Sequence, residues 1–247
     1  MDKSYQTSKM TKYYDIRPEL KTGDVIFFYG ADAVSSTICK IERIVCNNHQ
    51  GEWSHIGMVI MSTSFPIGHP YRLCGVGSGY DYAVIPYIFE LTQSGLLTDG
   101  VLNVDGFSFL GVQLRRLDDV ADKYNKLPNT RMAWGRLTVP IGVTQDQMLK
   151  TIRGYDGIRY DLNFLDLFAC AYKKLRWIRN LVKYFCCKSV DSWQFCSELV
   201  ANLYIEFGIL SPNINPENVL PCDFLPEQSL PVIGRVLFDI VVPFTTY

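Results

Sequence analysis

The sequence predicts an α+β domain, strand-dominated in its first half and helical in its second. Three observations carry this. Apolar runs of strand length recur between Asp24 and Val139, helical spacing prevails after Thr144, and no Pro/Gly/Ser-rich linker divides the chain of 247 residues. Apolar residues make up 48% and aromatic residues 13%, enough for one sizeable core rather than a disordered chain. A single domain is expected over residues 1–247, with its core at 20–210 and a C-terminal wrap over 211–247.

Each element has a local reason. Asp24 to Gly30 reads as a buried strand ended by a glycine turn. Ala33 to Cys46 has helical spacing, with Val34, Ile38, Ile41 and Val45 on one face. His55 to Ile60 is an apolar strand entered through Trp53 and Ser54, and Ser62 to Pro70 is a loop. Tyr71–Val76 and Tyr82–Leu91 are expected as strands on either side of the glycine-rich stretch Gly75–Gly79. Val112–Arg115 alternates as a short strand, an acidic turn follows at Leu117–Asp119, and Arg131–Val139 returns as a strand. Thr144 followed by Gln147 is a capping box, so a helix starts there and stops by Gly154 or Gly157. Asp161–Phe185 is mostly helical, and Phe195–Phe207 is a helix closed by Gly208. Pro212–Pro231 is an irregular wrap, and Val232–Val242 is expected as a last strand.

Composition narrows the function classes. A formal net charge of −1 gives no global field for nucleic acid, and no nucleic-acid partner is expected. The first ten residues lack the apolar core of a signal peptide, and no apolar run is long enough to cross a bilayer. The eight cysteines show neither Cys-x-x-Cys pairs nor nearby His ligands, so zinc is not indicated. A reducing, cytoplasmic setting is expected, with most cysteines acting as small buried apolar groups.

Histidine is scarce, which narrows the search for a base. His49 and His69 sit in polar or Gly/Pro loop contexts, whereas His55 opens an apolar strand. A polar ring there either lines a cleft or is capped by backbone or water. Cys196, in Asp191-Ser-Trp-Gln-Phe-Cys-Ser-Glu-Leu-Val200, falls in the first turn of a helix. Unpaired N–H groups and the helix dipole favour a thiolate at such a position and can donate to an oxyanion. Simple packing is the other reading of Cys196.

Three segments carry a family resemblance. Leu20-Lys-Thr-Gly-Asp-Val-Ile-Phe-Phe28 followed by Trp53-Ser-His-Ile-Gly-Met-Val-Ile60 resembles the opening of the circularly permuted NlpC/P60 (papain-like) cysteine hydrolases. Phe195-Cys-Ser-Glu-Leu-Val200 resembles the start of that group's late Cys helix. The order His then Cys is the permuted one, as in its YiiX-type, poxvirus and lecithin:retinol acyltransferase-like branches. The resemblance implies an antiparallel sheet or partial barrel packed against helices. It also implies Cys196 as nucleophile, His55 as base and a third polar residue on the next strand. Glu90 is the preferred match for that residue, although the inserted segment Tyr71–Tyr82 makes Ser78 or Asp81 alternatives. Gly157-Ile-Arg-Tyr-Asp161 resembles a family segment whose tyrosine lies near the active site, which makes Tyr160 a candidate for lining the cleft or supporting the oxyanion. The other reading of Tyr160 is an ordinary helix-entry aromatic.

What the resemblance implies is a thiol hydrolase that forms an acyl-enzyme from an amide, ester or thioester and needs no cofactor. Its substrate would be a peptide or a lipid acyl group. A lipid acyltransferase and a non-catalytic viral-particle component are the alternatives, the latter with a protein partner. Residues 175–188 carry Leu175, Ile178, Leu181, Val182 and Phe185 on one helical face, with Arg176, Arg179 and Lys183 on another. Such a segment suits either a core-packing helix or a peripheral membrane contact.

Overall fold

β-branched and aromatic side chains suit a pleated surface, and such segments build the centre of this molecule. The fold is that of a computed structural model describing residues 11–30, 35–36, 38–40, 53–73, 84–92, 111–155, 158–160, 193–225, 230 and 238–245. In chain order come β1 (Thr11–Lys12), α1 (Tyr13–Ile16), β2 (Val25–Tyr29), β3 (His55–Met61) and α2 (Pro70–Leu73). β4 (Pro86–Thr92), β5 (Gly111–Arg116), α3 (Leu117–Lys126), β6 (Arg131–Leu137) and α4 (Gln145–Gly154) follow. β7 (Arg159–Tyr160), β8 (Trp193–Gln194), α5 (Cys196–Glu206) and β9 (Phe238–Thr245) complete the set.

The architecture is mixed α+β. One nine-stranded sheet runs in the order β1-β9-β6-β2-β3-β4-β5-β7-β8. Its central strands β6, β2, β3, β4 and β5 are antiparallel, while β1 with β9 and β7 with β8 are parallel pairs at the margins. Successive side chains on a strand point to opposite faces, and here both faces are buried. Val25, Phe27, Ile56, Met58, Ile60, Phe89 and Leu114 join one core, to which α5 contributes Leu199, Val200 and Leu203. Ile26, Phe28, Val59, Ile88, Met132 and Trp134 join a second core, closed by α1 and by Leu117, Val120 and Ala121 of α3.

Several expectations change. Tyr71–Val76 does not form a strand as far as it is described. Pro70–Leu73 is a helical turn, and the fixed φ of Pro70 suits its first position. The acidic segment at Leu117–Asp119 is not a turn but the start of α3, where Asp118 and Asp119 complement the helix dipole. Asp118 Oδ1 also accepts from the Tyr13 hydroxyl at 2.7 Å and from Arg17 Nε at 2.8 Å, which ties α3 to α1. The fourth strand begins at Pro86, and the last runs over Phe238–Thr245 among the described residues, past the expected end at Val242. Most of the helix expected over 33–46, and all of that over 161–185, lie outside the described residues.

The capping box is present in full. Thr144 Oγ1 accepts from Gln147 N, and Gln147 Oε1 accepts from Thr144 N. The Pro212–Pro231 wrap contains single 3-10 turns at Pro216–Asn218 and Pro221–Phe224, against α5. Ser197 of α5 donates to Val219 O at 2.7 Å and anchors it there.

Candidate active site

The site begins with the seating of α5. Its C-terminal end is a Schellman closure: Gly208, at φ +70°, gives its N–H to Ile205 O, and Ile209 N reaches Tyr204 O. Within the helix, the buried Tyr204 hydroxyl donates to Gly23 O, just before β2. Burial, with Asp24 nearby, holds that hydroxyl well above the usual phenol range, so it stays a neutral donor. At the other end Glu198 Oε2 accepts the Phe195 N–H at 3.4 Å. Cys196 is the first residue of α5, so the N–H groups beside its sulfur have no partner within the helix.

His55 is the first residue of β3. Ser54 fixes the entry to that strand, giving its N–H to Phe28 O and its Oγ to Gly30 N as an acceptor. The imidazole lies against the Phe28 ring, with 5.4 Å between centroids. Its Nε2 donates to Glu90 Oε2 at 2.6 Å. Glu90 Oε1 receives Arg115 Nε at 2.8 Å and also Arg115 Nη2. Arg115, Glu90 and His55 thus form a chain of alternating charge across β5, β4 and β3 on the α3 face of the sheet. Cys196 belongs to the opposite layer, but both it and His55 open their elements, and the sulfur stands within side-chain hydrogen-bonding reach of the ring. With Nε2 taken by Glu90, Nδ1 is the nitrogen left for the sulfur.

Gly57 makes this crossing possible. A Cβ there would stand 2.8 Å from Ile88 Cδ1 and 3.0 Å from Glu90 Cβ. The glycine of Ser54-His-Ile-Gly57 therefore serves close approach between β3 and β4 rather than an unusual φ.

The electrostatics follow from burial and partners. Burial alone would strip the proton from His55. The electrostatic interaction and hydrogen bond with Cys196, then those with Glu90, outweigh it and lift the ring to about 10. Burial would likewise raise Glu90, but the Arg115 charge and the hydrogen bonds from His55 and Arg115 bring it down to about 2. Imidazolium and carboxylate are therefore the forms present at neutral pH. The site is nearly dry: the side chain of His55 is 14% exposed, Cys196 4% and Glu90 1%.

Cys196, His55 and Glu90 are thus gathered in one cluster. Ser78 and Asp81 lie outside the described residues, as does the segment 175–188. Tyr160 is described by its backbone, which pairs in parallel with Gln194, two residues before Cys196. Arg115 has no counterpart among the residues picked from sequence. Alternation in Val112–Arg115 gives it the polar face of a half-buried strand, and only the covering of that face by α3 turns it inward. Cys39 and Cys196 are not in disulfides, whereas Cys222 is disulfide-bonded. That bond sets Cys222 apart from the expectation that most cysteines are small buried apolar groups, which Cys39 and Cys196 are. Among the described residues, no helix is long and apolar enough to cross a membrane, and no group of three or more His, Cys, Asp or Glu is placed to hold a metal ion.

Comparison with known proteins adds little to this geometry. No family model matches the chain, and no curated protein does. Among solved structures it is similar to the metalloprotein yiiX from Escherichia coli O157:H7, DUF1105, at 17% sequence identity and a TM-score of 0.38, over 90% of this chain and 87% of that one.

Proposed function

We propose that the chain is a thiol hydrolase of the permuted papain-like kind, acting on an amide, ester or thioester through an acyl-enzyme on Cys196. The observation that carries this reading is the linked set Cys196, His55 and Glu90: one imidazole is hydrogen-bonded to Glu90 Oε2 at 2.6 Å and lies within hydrogen-bonding reach of the Cys196 sulfur. A buried cysteine that served packing alone would need neither a charged ring beside it nor an acid behind that ring. The late Cys helix lying against the His strand supports the permuted topology.

The chemistry follows from the atoms in place. The Cys196 sulfur, its proton held on His55 Nδ1, attacks the carbonyl carbon and forms a C–S bond. N–H groups of the first turn of α5, that of Cys196 foremost, receive the developing oxyanion. When the tetrahedral centre collapses, the leaving amine, alcohol or thiol departs with the proton from His55. Neutral His55 then takes a proton from water, whose oxygen attacks the thioester and restores the thiol. Glu90 keeps the Nε2–H in place throughout and fixes the tautomer. Tyr160, carried by the strand beside β8, is proposed to line the cleft.

Limiting iodoacetamide at about pH 6 should label Cys196 ahead of the other thiols, because ordinary cysteines are then almost fully protonated. His55→Ala should slow that labelling, and Cys196→Ser should abolish hydrolysis of chromogenic esters, thioesters or anilides without unfolding the domain. Uniform labelling of several cysteines, unchanged by loss of His55, would instead identify an inert module built on this fold, such as a structural component of a particle.

A further inference from the structure

We propose that Arg115 is a positioning residue of this site: its guanidinium engages Glu90 Oε1 and so holds Oε2 on His55 Nε2. The inference rests on the hydrolase reading above and adds a fourth member behind the acid.

The geometry leaves Arg115 little else to do. Its Nε lies 2.8 Å from Oε1, Nη2 contacts the same oxygen, and the residue is buried, so the guanidinium is committed to the carboxylate. Among the described residues, the charged groups within hydrogen-bonding reach of the Glu90 carboxylate are His55 from β3 and Arg115 from β5, with Cys196 of α5 beyond His55. Without a cation on Oε1, a carboxyl group this deeply enclosed would favour its neutral form. It would then cease to retain the imidazolium proton and would be free to turn its oxygens. Register supports the assignment: Arg115 pairs with Ile88 on β4, on the same face as Glu90, so its side chain needs only a short diagonal reach along the sheet. The arrangement places two strands, β4 and β5, behind one imidazole.

The test compares the full chain with Arg115→Gln and Arg115→Lys, and with His55→Ala as reference. The rate of Cys196 alkylation is read at about pH 6 and at about pH 10, where ordinary thiols are ionised. Arg115→Gln should slow the low-pH rate about tenfold, equivalent to one unit lost from the proton affinity of His55. The high-pH rate should be unchanged, a split that partial unfolding would not give. Arg115→Lys, which retains the charge but not the paired donors, should fall between Gln and wild type. If Arg115→Gln does not fold, the lysine variant decides alone, and a low-pH rate equal to wild type overturns the proposal. A slow His55→Ala protein beside a wild-type-like Arg115→Gln protein overturns the role of Arg115 and leaves the hydrolase reading intact. A His55→Ala protein that labels like wild type overturns the reading on which both stand.

Discussion

At the scale of single residues, His55 is the side chain whose state is most changed by its surroundings. A free imidazole loses its proton near neutrality, but here the proton is held between Glu90 and Cys196, and His55 is raised to about 10. The imidazolium should therefore persist through neutral pH and disappear only as the pH rises through about 10. Following the His55 Hε1 and Cε1 resonances through a pH titration checks this, and an ordinary midpoint near 6.5 would contradict it. Glu90 is shifted in the opposite sense, so the unfolded chain binds its proton more readily than the folded one. Its contribution to stability is complete above the ordinary value of 4.5 and is lost as the pH falls towards about 2. Glu90→Gln should cost about 3–5 kcal/mol at neutral pH, because Arg115 is left as a buried unpaired charge. The gap between the urea midpoints of wild type and variant should close across that acid window.

At the scale of elements, stability and site geometry are separable. Gly57→Ala on β3 should cost about 1–3 kcal/mol by overpacking against Ile88. It should also push Glu90 away from His55 and slow Cys196 labelling at low pH. Thr144→Ala removes the cap of α4 and should cost about 1 kcal/mol, with labelling unchanged. Thermal midpoints and labelling rates measured side by side distinguish the two effects. How readily an element is read from sequence follows the same logic. The capping box of α4 and the glycine closure of α5 are satisfied within a few residues, and both are visible in the sequence. α3 is hidden because its apolar residues, Leu117, Val120 and Ala121, are few, and its opening acids resemble a turn. It is a helix because Asp118 binds Tyr13 and Arg17, which lie about a hundred residues earlier in the chain.

At the scale of the whole molecule, the sheet has two cores, and the chain after α5 is bound to both local contacts and a covalent bond. Without reductant, denaturing alkylation should modify Cys39 and Cys196 but leave Cys222 protected. Reduction should lower the thermal midpoint by an amount equivalent to about 2–4 kcal/mol. Alkylation of Cys222 without reductant would remove that cross-link from the account. Sequence by itself determined the α+β class, the central strands read at Asp24–Gly30 and His55–Ile60, and the first-turn position of Cys196, because period, caps and glycine closures act within a few residues. It also singled out Cys196 and His55, since histidine is scarce and the motif order is informative. Only the tertiary structure decided which side chain stands behind His55, that Arg115 is buried beneath α3, and that Gly57 serves the crossing of Glu90. Those outcomes depend on strand register and on what covers each face of the sheet, and both are set by contacts between segments far apart in the chain.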